Sequence, residues 1–163
     1  MIKFLRTIHL LGLVMFLGSI ISYIIINEMA GKSNNLEIIS FVKSYVYFGS
    51  KTITVPGMWL LVMSGIIMSY RGGYSIKDTN WLKTKFIVAI LIILIATFLI
   101  MPATRELAHR ANDSLIKGVL NSDMDKFQMR EDMFGTINVI GIFANIILVI
   151  YFNRSTHEPL VRK

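Results

Sequence analysis

Four apolar stretches dominate this chain, roughly Thr7 to Ile26, Ile53 to Tyr70, Lys85 to Met101 and Met133 to Phe152. Crossing a hydrocarbon core takes about 20 apolar residues at about 1.5 Å of rise each, or fewer where flanking side chains snorkel. The composition agrees: 54% of the 163 residues are hydrophobic and only 17% are charged, a membrane profile. The first stretch is longer than a signal-peptide core and no small-x-small cleavage site follows it cleanly, so it reads as a retained helix. There is no cysteine, which excludes disulfides, thiolate metal sites and thiol redox chemistry. With no internal repeat and no low-complexity linker, the expectation is an all-α polytopic membrane four-helix bundle, one integral membrane domain over residues 1–163.

Four spans put the N-terminus, the Arg71 to Lys85 connection and the C-terminal tail on one side. That side carries Lys3, Arg6, Arg71, Lys77, Lys83, Lys85, Arg154, Arg162 and Lys163 against Asp78 and Glu158, whereas the other side is balanced, so the net charge of +7 falls on one face. These cations sit close to the span ends, which places both termini in the cytoplasm by the positive-inside rule. Topology and anionic lipid account for the basic excess, and nucleic acid is not expected as a partner.

The connections on the other side read as helix. From Leu36, "LEIISFVKSYVYFGSKTITVPGMW" runs into the second span at helical spacing, with Pro56 expected to kink it. After Pro102, "ATRELAHRANDSLIKGVL" carries the stripe Leu107, Ala111, Leu115 and Val119. Ser122 followed by Asp125 resembles a capping box, so the fourth helix is expected to begin near Asp123. Helices two, three and four should therefore extend beyond the bilayer on the non-cytoplasmic side. Leu107, Leu115 and Ile116 would then need cover, for which Ile39, Val42 and Val46 are nearest.

Ionisable groups inside spans are costly and usually face the bundle. His9 lies about 10 Å into the first helix if that helix starts at Ile2. Lys85 opens the third span in "WLKTKFIVAIL", behind Trp81 as an interface anchor. Each has an ordinary explanation: a histidine near an interface bonds headgroups, and a lysine one turn inside snorkels. The pair says more. Helices one and three run in the same direction, so His9 and Lys85 share a depth and, with Arg6 one turn before the histidine, form a cationic cluster. A haem could use it, with His9 on iron and cations on the propionates; a quinone or an anionic substrate could use the same groups. The small residues Gly12, Gly18, Ser19, Gly57, Ser64 and Gly65 either allow close helix approach or leave room for a flat ring.

His109 lies about 36 Å beyond Lys85 along a continuous helix, so it cannot share an iron with His9, and His157 belongs to a polar tail. A haem here would have one histidine ligand and a sixth position that is methionine, lysine, water or open; Met15, Met58 and Met63 qualify by residue type alone. On the fourth helix, Asn138 and Asn145 share a face across Gly141, as helix glue or as hydrogen-bonding groups for a ligand.

The patterns "IHLLGLVMFLGSI", "TITVPGMWLLVMSGIIMS" and "WLKTKF" resemble a superfamily of small four-helix membrane proteins. It includes HemJ-type protoporphyrinogen oxidases, the membrane domain of CopD-type copper-resistance proteins, and uncharacterised relatives that are the closer match. In the HemJ type a helix-one histidine and the lysine of a Trp-Leu-x-x-Lys opening are functional and haem b is the cofactor. The resemblance carries those roles to His9 and Lys85, with Trp81 and Leu82 completing the motif. It implies a haem-b-associated redox protein, with His9 as the metal ligand and Lys85 in the catalytic role; Arg6, from the cationic cluster, is the expected further cofactor contact, and a bacterial-type inner membrane the expected location. A porphyrin, a quinone, an electron-donor protein or a second copy would be partners. The rival expectation is a cofactor-free accessory subunit or small transporter whose cationic cluster binds an anion.

Overall fold

The computed structural model describes residues 2–71 and 80–155; Lys77, Asp78, His157, Glu158, Arg162 and Lys163 lie outside them. It is all helix among the described residues: α1 (Ile2–Gly31), α2 (Leu36–Gly49), α3 (Val55–Arg71), α4 (Asn80–Ile95), α5 (Met101–Lys117) and α6 (Met124–Ser155). Four helical rods are long and apolar enough to cross a membrane, in agreement with the expected four-helix membrane bundle.

Two of these rods are composite. α2 continues into α3 through the π-helical turn Ser50–Thr54, and α4 into α5 through the π-helical turn Ala96–Ile100. Each turn ends two residues before a proline, Pro56 or Pro102. Proline has no N–H to give and its ring clashes with the carbonyl four residues back, so the preceding turn widens. Accordingly the Val55 N–H reaches the Ser50 carbonyl and the Met101 N–H the Ala96 carbonyl, each five residues back. The distortion expected at Pro56 is a widened turn, and Pro102 repeats it.

The composite rods have 36 and 38 residues, about 54 and 57 Å at 1.5 Å per residue, against a hydrocarbon core of about 30 Å. They therefore project well past the bilayer. α2 starts at Asn35, whose side chain accepts from the Glu37 N–H at 2.8 Å, a helix cap. α5 stops at Gly118, the one residue of positive φ (68°) among the described residues, as left-handed C-terminal glycines do. α6 begins at Met124, with the Asn121 side chain accepting from the Asp123 N–H at 3.0 Å. The start falls one residue past the expected position, and the Asn121 bond closes the turn that leads into it.

α1 packs along α3 and α4 along α6, and α2 packs on α5. The closest backbone approach sets Gly12 against Gly57: a Cβ on Gly12 would stand 2.6 Å from the Leu61 nitrogen, and one on Gly57 2.8 Å from Met15 Cβ. At mid-depth Phe16, Met58, Ile92 and Ile142 close the bundle as one buried cluster joining both helix pairs.

Beyond it, Tyr23, Ala30, Val42 and Val46 form a second cluster, and Leu107, Ala111 and Met124 a third, with Ile39 and Phe127 against it. The expected cover for α5 is corrected here. Ile39 does pack against Leu107, but Val42 and Val46 turn to α1, where Tyr23 and Ala30 offer the apolar surface. Leu115 and Ile116 are exposed, and Val119 is past the end of α5, because Gly118 terminates the helix one turn early for the predicted stripe. The face of α5 that is buried runs instead through Ala103, Thr104, Leu107, Ala108, Ala111 and Ser114.

Candidate functional site

His9 is half-buried on α1 and faces α3. Its Nδ1 lies 3.0 Å from Ser64 Oγ, and a Cβ on Gly65 would stand 3.3 Å from His9 Cε1, so the ring rests on the bare surface that Gly65 leaves. Ser64 has one hydroxyl hydrogen, and its Oγ lies 2.5 Å from the Leu60 carbonyl four residues back. That carbonyl can only accept, so the serine donates to it and its oxygen is left to accept from the His9 Nδ1–H. The neutral ring then carries its lone pair on Nε2, the arrangement found in histidines whose other nitrogen is fixed by a neighbouring group.

Lys85 is half-buried on α4. Asn145 of α6 donates from Nδ2 to the Lys85 carbonyl at 3.4 Å, which ties the opening of α4 to the last helix. Arg6 is exposed on α1. Met58 belongs to the central cluster, Met15 lies against Gly57, and Met63 is exposed. His109 is exposed on α5, at the projecting end. Among the described residues no group of three or more His, Cys, Asp or Glu side chains gathers to hold a metal ion. A metal on His9 would therefore need most of its ligands from elsewhere, such as the four nitrogens of a macrocycle.

A second polar centre went unrecognised in the sequence. About 18 residues along α1 from His9, some 27 Å, Lys43 of α2 donates from Nζ to Asn27 Oδ1 at 2.9 Å and to Gln128 Oε1. Its ammonium stands 3.8 Å from Glu131 Oε2. Thr104 donates to the other carboxylate oxygen at 2.9 Å. Both charges are buried, so each is supported by the other and by neutral side chains around it.

This network lines a cavity of about 760 Å³ between the two helix pairs, floored by Phe16 and Met58 of the central cluster and passing Ser50, Thr54, Ala96 and Ile100 of both π turns. Asn138 also lines it. A signal was present: Glu131, Asn138 and Asn145 repeat every seven residues, about two helical turns, which puts all three on one face of α6. Reading only the two amides misses the carboxylate that begins the series.

Residues 3–152 match the model of a family described as "Predicted integral membrane protein (DUF2269)". No curated protein and no solved structure matches the chain. Four membrane-length helices and a family match over nearly the whole chain lead to one conclusion: this protein is a multi-pass integral membrane protein of the DUF2269 family.

Proposed function

We propose that this protein is a haem-b-associated redox component of a bacterial-type inner membrane, resembling HemJ-type oxidoreductases, with His9 Nε2 as the iron ligand. One observation carries this reading: the Ser64 hydroxyl, committed to the Leu60 carbonyl, holds His9 as the Nδ1–H form. That tautomer leaves the Nε2 lone pair free for an iron, with the other nitrogen fixed by a supporting group. Cations at this end of the bundle would serve a porphyrin. α1 and α3 form one helix pair and α4 and α6 the other, so His9 and Lys85 belong to different pairs, each near the start of its helix. Lys85 offers a cation to a propionate or a proton to a bound substrate, and Arg6 a second cation nearer the surface.

Haem would supply one-electron chemistry at this position. The chain's own part is to fix the ring through Ser64, to set Lys85 beside it, and to keep water from the mid-depth through Phe16, Met58, Ile92 and Ile142. The basic residues at the ends of α1, α3 and α4 support an orientation with both termini in the cytoplasm, in which the His9 end of the bundle faces the reducing side.

A reduced-minus-oxidised spectrum of protein expressed with ample haem and purified in mild detergent tests this. A Soret band with α and β bands on reduction is expected. Colourless protein would favour the rival in which His9 and Lys85 bind an anion without a cofactor.

A further inference from the structure

The cavity at the projecting end plays no part in the His9 reading, and its chemistry is opposite in sign. Four carboxylates, Glu28, Asp125, Glu131 and Asp132, line it against the single ammonium of Lys43, although the chain as a whole carries +7. The Lys43 ammonium is already engaged by Asn27, Gln128 and Glu131, which leaves it nothing for an anionic guest. Glu28 is partnered at the rim by Lys32 at 3.2 Å, and Asp132 by the Gln128 amide at 2.8 Å.

Three buried atoms of lining residues have no hydrogen-bond partner, Tyr23 Oη, Glu131 Oε2 and Asn138 Oδ1, and all three residues are more than nine-tenths buried. The phenol can donate or accept, whereas the carboxylate and amide oxygens accept only, and Glu131 Oε2 stands 3.8 Å from the Lys43 ammonium, beyond hydrogen-bond distance. An unmet buried acceptor costs free energy until a donor arrives, and beside four carboxylates and one ammonium the donor that fits is positively charged. The remaining wall is apolar, with Phe16, Ile20, Val46, Met58, Ile100 and Val139, and the volume lies in the range of small-molecule sites.

We propose that this cavity is a binding site for an amphipathic organic ammonium ion, with its charged end on Glu131, its apolar body between Val46, Met58 and Ile100, and Asn138 accepting from a second donor. The site faces the end of the bundle opposite His9, and the cluster of Phe16, Met58, Ile92 and Ile142 separates the two. The proposal is independent of haem.

Gly135 makes the test clean. It lines the cavity on α6 between Glu131 and Asn138, and a Cβ there would meet nothing within 4 Å. Gly135→Leu therefore starts a side chain in open space beside Glu131 and Asn138, and replacing a mid-helix glycine favours the helix. The probe is dansylcadaverine, an aromatic group on an alkylammonium arm, titrated into the full chain in lipid nanodiscs and read by fluorescence; empty nanodiscs give the partition background. Saturable binding to wild type is expected, weakened at least about tenfold by Gly135→Leu and by Glu131→Gln, the loss of one charge-assisted hydrogen bond.

The analogue whose arm ends in a hydroxyl should bind at least about tenfold more weakly than the ammonium. If Glu131→Gln does not fold, Gly135→Leu decides alone, with an unchanged or higher melting temperature as its control. No saturable binding to wild type, meaning that water alone fills the cavity, would overturn the proposal. So would equal binding of the hydroxyl analogue, or undiminished binding to Gly135→Leu.

Discussion

Lys43 and Glu131 hold opposite charges 3.8 Å apart with side chains only 8% and 11% exposed, α2 supplying the cation and α6 the anion. Both are largely withdrawn from bulk water. Lys43→Met alone or Glu131→Leu alone leaves one buried charge unpaired and should lower stability by roughly 3–5 kcal/mol. The double substitution removes both charges and should recover most of that loss. Thermal unfolding of the four proteins in detergent gives the comparison; additive losses in the double variant would show that the two charges do not support each other.

Gly12 and Gly57 should be the least replaceable glycines in the chain. A Cβ at either meets backbone on the opposite helix at under 3.0 Å, and backbone cannot turn away as a side-chain tip can. Gly12→Ala or Gly57→Ala should separate α1 from α3 and cost about 1–3 kcal/mol, the usual range for overpacking. Gly18→Ala, with nothing within 4 Å of its Cβ, should be neutral or slightly stabilising. Equal effects at all three positions would contradict the packing described.

At the projecting end, Leu107 is 0% exposed and Ile116 83%. Leu107→Ala should cost about 2–5 kcal/mol by leaving a cavity against Ile39, Ala111 and Met124, whereas Ile116→Ala should change stability by less than about 0.5 kcal/mol. Limited proteolysis should spare α5 and cut between Gly118 and Asp123, where the chain leaves one helix before starting the next. Rapid cleavage inside α5 would show that it does not fold on α2.

How much of this was legible beforehand follows from which forces act locally. Bilayer thickness imposes length and apolarity on each span separately, so the four spans and their parallel or antiparallel directions can be read from the chain. Pro56 and Pro102 announce a distortion, but whether the helix bends or widens depends on which carbonyls the following N–H groups can reach. Gly118 ends α5 through its backbone freedom, and the stripe continued to Val119 fails because a hydrophobic period alone carries no stop signal. His9 and Lys85 both lie near the starts of their helices, as matched depth along parallel helices predicts. Ser64 as the group that fixes the ring was not legible, since it was noticed only as a small residue. Lys43 and Glu131 were hidden for a related reason: each lies among solvent-side charges, and only the folding of α2 and α6 onto one cavity shows that they are buried.

Ser64 itself is a sensitive probe of the His9 reading. Ser64→Ala removes the acceptor that holds Nδ1–H, so haem affinity should fall about 10- to 100-fold, as for other supporting partners of metal-bound histidines. Folding should be little affected, because the serine is a small side chain bonded within its own helix. Haem titration of the apoprotein measures the affinity; an unchanged value would mean that Ser64 does not orient the ligand.

The most direct measurement is the haem content, by Soret absorbance per protein, of wild type, His9→Ala, Lys85→Ala and His109→Ala purified side by side, with circular dichroism to confirm that each is folded. The account expects haem in wild type, its loss in His9→Ala, retention with an altered reduction potential in Lys85→Ala, and no change in His109→Ala, which lies at the other end of the bundle. A wild type without a Soret band, or a His9→Ala protein that keeps its full haem content, would contradict the assignment of His9 as the iron ligand.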